Sequence, residues 1–304
     1  MPLWTLYGLK QGRVSRRWHV SASSDGQEGV LGMPRFDPSR CQEGCRECVD
    51  ACLPGAITEA APGAEVRLAV DYGRCVTCQM CVEACPTGAF TPSEDWAFGV
   101  RRREDLQWAQ AAAAPQADML RQNIRRVFGR SLHIRHVDAG SCNGCESELQ
   151  ALNNPYYNLH RLGIFFTPSP RFADLLLVTG PVTYAMRGPL LETYAAMPEP
   201  KFVLAAGTCA VSGGTNGGGY ACGHGVDPLL PVDVYLPGCP PNPAAFIHAL
   251  LILLQRMPQR VRAGRMPSGA GASGRQMGGG EAAAAPGGGT AGSGAVAAAG
   301  EGDE

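Results

Sequence analysis

Apolar residues fall into short runs that stop at small or polar loops. Ile134-Arg-His-Val137, Leu175-Leu-Leu-Val-Thr179, Phe202-Val-Leu-Ala-Ala206 and Val232-Asp-Val-Tyr-Leu236 read as strands. Helix-length segments separate them, which predicts a parallel sheet with crossover helices and hence an α/β domain. Pro198-Glu-Pro200 punctuates the chain before the third run. A longer run from Ala244 to about Met257 predicts a largely buried helix, with Pro243 placed for its first turn. Its apolar part, Ala244 to Leu254, is interrupted by His248 and is too short to span a bilayer.

The rest of the chain lacks this periodicity. Residues 1–35 form a lead-in, in which Trp4, Leu6, Tyr7 and Leu9 offer a surface for packing. Ser15-Arg-Arg-Trp18 faintly suggests a twin-arginine export signal, but no apolar stretch follows it, so no such signal is expected. Residues 36–95 form a small domain dense in cysteine. Residues 96–130 read as a linker, with Arg101-Arg-Arg103, an Ala-rich stretch and a short basic helix over Asp118–Arg130 that carries Arg121, Arg125 and Arg126. Residues 131–262 hold the strands. Residues 263–304 are mostly Gly, Ala and Ser and bury too little surface to offset ordering entropy, which predicts a disordered tail.

Composition changes the picture through cysteine. Among 304 residues there are thirteen, in tight clusters, and the formal charge is −1. Clustering favours metal binding in a reducing compartment over disulfides. The near-zero charge gives no global field toward nucleic acid or an anionic membrane. One set runs Cys41-x3-Cys45-x2-Cys48-x3-Cys52, and another Cys75-x2-Cys78-x2-Cys81-x3-Cys85-Pro86. The second spacing is that of a bacterial two-cluster run, whose first three cysteines bind one iron–sulfur cube while the fourth crosses to the other. Two interlocking sets then pair Cys41, Cys45, Cys48 and Cys85 on one cluster, and Cys75, Cys78, Cys81 and Cys52 on the other. Gly-Ala-Ile after Pro54 and Gly-Ala-Phe after Pro86 mark an internal duplication.

Three of the predicted strands end at cysteine loops, carrying Cys142 and Cys145, Cys209, and Cys239. Loops leaving parallel strands emerge on one edge of the sheet, so these four should converge and suit an iron–sulfur cube or a zinc ion. Cys222 is left over and reads as a bystander. His133, His136, His160, His224 and His248 show no metal-ligand spacing, and structural roles are expected for them. Glu146 and Glu148 lie in a first helical turn, where carboxylates are electrostatically favoured, and are candidates for moving protons toward a partner. Gly213-Gly214 and Gly217-Gly-Gly219 form a mobile loop or allow close backbone approach, and match no phosphate-binding fingerprint.

Residues 36–95 resemble a two-cluster, ferredoxin-type α+β domain. They depart from it in the three residues between Cys41 and Cys45 and in Leu53, which stands where proline is usual. The later segments Asp138–Glu146, Ala173–Val182, Met197–Lys201, Gly207–Ala210 and Pro231–Pro241 resemble the small subunit of [NiFe] hydrogenases and the B subunit of respiratory complex I. That resemblance implies a flavodoxin-like α/β domain with one [4Fe-4S] cluster on Cys142, Cys145, Cys209 and Cys239. Complex I-type subunits have adjacent cysteines at the first position, whereas Cys142-x-x-Cys145 is the hydrogenase arrangement. The implied protein is similar to the electron-transfer subunits of energy-converting hydrogenases of the formate hydrogenlyase type. It would carry three [4Fe-4S] clusters, beside a NiFe large subunit, membrane subunits, and a donor or acceptor protein. No nucleic acid is implied. The implied site is peripheral, on the cytoplasmic face of the membrane. The alternatives are a nickel-free, complex I-like assembly that reduces quinone or pumps ions, and a zinc-stabilised scaffold.

Overall fold

The computed structural model describes residues 3–11, 29–61, 66–108 and 131–265. The expected basic helix over 118–130 and nearly all of the expected tail lie outside these residues, as does 12–28 of the lead-in. Helix α1 (Leu3–Gln11) keeps Leu6, Tyr7 and Leu9 exposed.

The cysteine-rich part is built from small pieces. Strands β1 (Arg35–Phe36) and β4 (Phe90–Thr91) pair antiparallel, as do β2 (Ile57–Glu59) and β3 (Leu68–Val70). Two short helices, α2 (Glu47–Asp50) and α3 (Met80–Ala84), pack on each other between them. Phe36 stacks on Phe90 at 4.8 Å, which joins the two halves of the duplication through their apolar positions.

The second part is a five-stranded parallel sheet. Its strands are β5 (Leu132–Asp138), β6 (Ile164–Phe166), β7 (Leu175–Thr179), β8 (Phe202–Ala206) and β9 (Val234–Leu236), in spatial order β6-β5-β7-β8-β9. Counting only these five, the order is 2-1-3-4-5, one of the two common doubly wound arrangements. Every residue of β7, β8 and β9 is buried, as their uninterrupted apolar runs require in a sheet covered on both faces. The edge strand β6 is a short run after Gly163 that the sequence pattern does not single out.

Four helices complete this part: α4 (Gly144–Ala151), α5 (Tyr184–Ala195), α6 (Thr208–Ser212) and α7 (Pro243–Leu253). Helix α7 is buried along its whole length. Asn242 caps it by accepting from the Ala245 N–H at 2.8 Å, with Pro243 in the first turn.

Alternate residues of the strands feed two cores. Ile134, Leu175, Leu177, Leu204 and Leu236 pack with α7 on one face. Val137, Leu176, Val178, Val203 and Tyr235 pack on the other, in a core continuous with Phe36, Phe90, Phe98 and Leu106. The cysteine-rich part therefore covers one face of the sheet. Residues 96–108 strap the two together. Val100 exchanges backbone hydrogen bonds with Tyr235 of β9 (2.9 and 2.7 Å), while the Trp108 N–H donates to the Val70 carbonyl of β3 at 2.8 Å. Ala97, Phe98, Val100 and Leu106 of this strap are buried.

Candidate metal centres

Twelve of the thirteen cysteines fall into three groups of four. In the first, Cys41 follows a short turn begun by Asp37, whose carboxylate accepts from the Ser39 N–H at 3.0 Å. Cys48 lies in α2 and Cys85 just after α3. Burial pushes the Cys48 thiol up to about 11, and repulsion from Cys41, Cys85 and Cys45 adds to the rise, so these three stand near it. Burial also raises Cys41. For Cys85 burial is outweighed by hydrogen bonds, among them the Ala89 N–H at 3.2 Å and the Thr87 hydroxyl, and its thiol is held low.

The second group is Cys52, Cys75, Cys78 and Cys81. Burial pushes Cys75 and Cys81 each up to about 12, with Cys52 and Cys78 contributing to both. Thr77 and Gln79 turn the loop through left-handed backbone (φ 56° and 64°). That winding lets a short loop present several sulfurs to one point. Backbone N–H groups of Ala56 and Thr77 donate to the sulfurs of Cys52 (3.2 Å) and Cys75 (3.4 Å). All four cysteines line one cavity, whose remaining wall includes Pro34, Ile57, Val70, Tyr72 and Phe90.

The third group forms at the carboxyl edge of the sheet. After β5, the Asp138 carboxylate accepts from Gly140 N–H (2.9 Å) and Ser141 N–H (2.7 Å), folding the loop that carries Cys142 into α4 and Cys145. Cys209 lies in α6 after β8, and Cys239 follows β9. Burial raises Cys145 strongly, and Glu146, Cys209, Cys239 and Cys142 add to it. Burial also pushes Cys209 up to about 11. Gly207 is at φ 87°, and a Cβ there would stand 2.7 Å from the Cys145 sulfur. Glycine is thus required for backbone to pass this close to the group.

Buried thiols crowded on one another resist ionising alone. A cationic core that replaces their protons relieves both burial and mutual repulsion, which is how metal binding couples to thiol chemistry. Among the described residues no three His, Cys, Asp or Glu side chains close on a single metal ion. Four thiols around a cavity with a largely apolar wall, as in the second group, fit an iron–sulfur cube.

The remaining candidates separate. Cys222 is buried beside Cys209, and its thiol donates to the Asn216 carbonyl at 2.9 Å. Glu146 is held by Ser141, whose hydroxyl donates at 2.6 Å, and by Thr179. His136 in turn meets the Thr179 hydroxyl at 2.9 Å and is driven toward its neutral form by burial. Thr179 is a polar residue ending a buried strand, the one sequence signal that could have revealed this network. Glu148 is outside it, and burial raises its carboxyl. His133 approaches Asp174 at 3.5 Å, His160 stacks on Phe165, and His248 is buried against Trp96.

Comparison with known proteins follows the same division. Residues 40–89 match the 4Fe-4S dicluster domain, and residues 142–253 match the NADH ubiquinone oxidoreductase, 20 Kd subunit. An uncharacterized protein of Methanocaldococcus jannaschii is 45% identical over 44% of this chain and 87% of its own length. The "Probable membrane-bound hydrogenase subunit mbhJ" of Pyrococcus furiosus is 39% identical over 47% of this chain and 84% of its own. The chain belongs to the NADH ubiquinone oxidoreductase 20 Kd subunit family. Formate hydrogenlyase subunit 7 of Escherichia coli is 42% identical over 47% of this chain, which spans 56% of that relative's length. The 20 Kd subunit match contains all four cysteines of the third group, and the dicluster match contains all eight of the first two. Among the described residues no helix is long and apolar enough to cross a membrane.

Proposed function

We propose that the chain is the iron–sulfur electron-transfer subunit of a [NiFe] hydrogenase complex. It combines a ferredoxin-type dicluster domain with a flavodoxin-like domain and holds three [4Fe-4S] clusters. Cys41, Cys45, Cys48 and Cys85 bind one, and Cys52, Cys75, Cys78 and Cys81 the second. Cys142, Cys145, Cys209 and Cys239 bind the third. The observation that carries this reading is the grouping of twelve cysteines into three fours, each assembled from separate loops.

Such a cluster supplies one-electron redox chemistry with little rearrangement. The chain's own residues do the rest. The cysteine loops fix the geometry, and Phe90, Tyr72 and Ile57 supply apolar wall to the second site. The N–H groups donating to Cys52, Cys75 and Cys85 stabilise thiolate charge, and so tune the potential. Cys142 and Cys239 are exposed, so the third site faces outward, where a partner's NiFe centre would exchange electrons with it. The Glu146 carboxylate, tied to Ser141 and Thr179, positions the first turn of α4 and is not free to carry protons outward. Membrane subunits of the same complex would hold this chain peripherally on the cytoplasmic face, with a donor or acceptor protein at the dicluster end. Likeness to hydrogenase subunits supports this assembly. The family's own description supports a second reading, a nickel-free quinone-linked complex.

Anaerobic purification with iron analysis tests the cluster assignment. About twelve irons per chain are expected, and a colourless, zinc-rich protein would reject it. CxxC pairs near both ends of the neighbouring large subunit decide for nickel, and their absence decides for the second reading.

A further inference from the structure

Thr208 is almost wholly buried, at 1% exposure, immediately before Cys209. Its hydroxyl donates to the Cys75 carbonyl at 2.9 Å, across 133 positions of sequence. The same oxygen accepts from the Gly238 N–H at 3.0 Å, and the Thr208 N–H donates to the Gly238 carbonyl at 2.9 Å. Gly238 immediately precedes Cys239. One side chain therefore joins three cysteine loops: the Cys75 loop of the second group, and the Cys209 and Cys239 loops of the third. A hydroxyl is suited to this, since it donates and accepts at one atom.

We infer that Thr208 is the positioning residue that sets the separation between the second and third centres, and that the second group is therefore the third centre's neighbour in the wire. This rests on the cluster assignments proposed above. The adjacent geometry leaves little slack. Gly238 is at φ 141°, where an added Cβ would meet Pro241 backbone at 2.7 Å, and Gly207 passes the Cys145 sulfur closely. The loops of the third group are thus stiff, and a contact that fixes one of them relative to Cys75 fixes the group. Valine is isosteric with threonine but offers neither bond, so it leaves the buried Gly238 N–H and Cys75 carbonyl without this partner. Serine keeps both.

The test uses the full chain in its complex, loaded and fully reduced, with iron analysis beside electron paramagnetic resonance. Two reduced, paramagnetic centres split each other's signals by an amount that falls as the inverse cube of their separation. T208V should retain wild-type iron content while its spin–spin splitting shrinks or broadens out, and T208S should restore the wild-type spectrum. A T208V spectrum identical to wild type overturns the inference, as does a T208S spectrum altered as much as that of T208V. If T208V does not fold, T208S decides: a folded, wild-type-like T208S is the expected result, and a T208S that also fails overturns it. A wild-type chain with twelve irons and no splitting overturns the inference alone. A wild-type chain without iron–sulfur absorbance overturns the reading beneath it.

Discussion

Arg103 grips Asp71 with two parallel hydrogen bonds, at 2.7 and 2.6 Å, from the strap to the loop that leads into Cys75. The pair is largely shielded, with side-chain exposures of 18% and 22%. Asp71 also accepts from the Gly73 N–H at 2.9 Å, and a Cβ on Gly73 would stand 2.4 Å from the Arg103 guanidinium carbon. The cysteine loop and the strap are thus locked through one carboxylate.

Removing that lock should loosen the second centre. Arg103→Ala is expected to lower stability by about 1.5–3 kcal/mol, the range for hydrogen bonds to charged groups. Gly73→Ala should act through the same contact, so the double variant loses less than the sum of the two. Thermal unfolding of the loaded protein checks both, and full additivity would show that the two positions act separately.

Gly207→Ala should be selective. The added methyl would meet the Cys145 sulfur, in backbone that disfavours any Cβ. Iron content is expected to fall from about twelve to about eight, with the dicluster signals intact. Loss of all iron would mean that the third group supports the whole fold.

Cys222→Ser should leave iron unchanged, because serine keeps a donor to the Asn216 carbonyl and the four cysteines proposed as ligands beside it do not include Cys222. Loss of four irons would promote Cys222 to a ligand. Cys142→Ser should abolish hydrogen turnover in the complex, and undiminished turnover would contradict a terminal role for the third centre.

His248 makes stability depend on pH. Burial, with help from nearby Arg260, pushes this imidazole down to about 4. The unfolded chain therefore takes up a proton near pH 6.5 that the folded chain refuses until about pH 4. Stability from this residue is complete above pH 6.5 and is lost as pH falls toward 4, by about 2 kcal/mol between pH 7 and pH 5. Urea midpoints of wild type and His248→Leu at those two pH values measure it. The variant should lose less stability on acidification, and equal losses would remove His248 as the cause.

The cysteine spacings and the apolar runs ending at Cys209 and Cys239 are legible in sequence because both patterns are local. A thiolate loop around a cube needs neighbours at fixed short intervals, and a buried parallel strand needs an unbroken apolar run. Residues 96–108 escaped that logic. They read as a linker, since Arg101-Arg-Arg103 masks the buried Val100 and Leu106, whose backbone partners, Tyr235 and Tyr72, lie far away in the sequence. Edge strand β6 escaped for a related reason: its three residues carry no periodicity of their own.

The sequence by itself determined which residues could hold metal, and that strand ends would bring four distant cysteines to one edge, because side-chain chemistry and strand direction are local properties. Tertiary structure alone decided which group neighbours which. That Cys75 meets Thr208 depends on one part's core closing over the other's sheet. That Glu146 is tied to Thr179 depends on a helix after one strand packing beside the end of another. No spacing along a chain encodes a contact made only when two faces have packed.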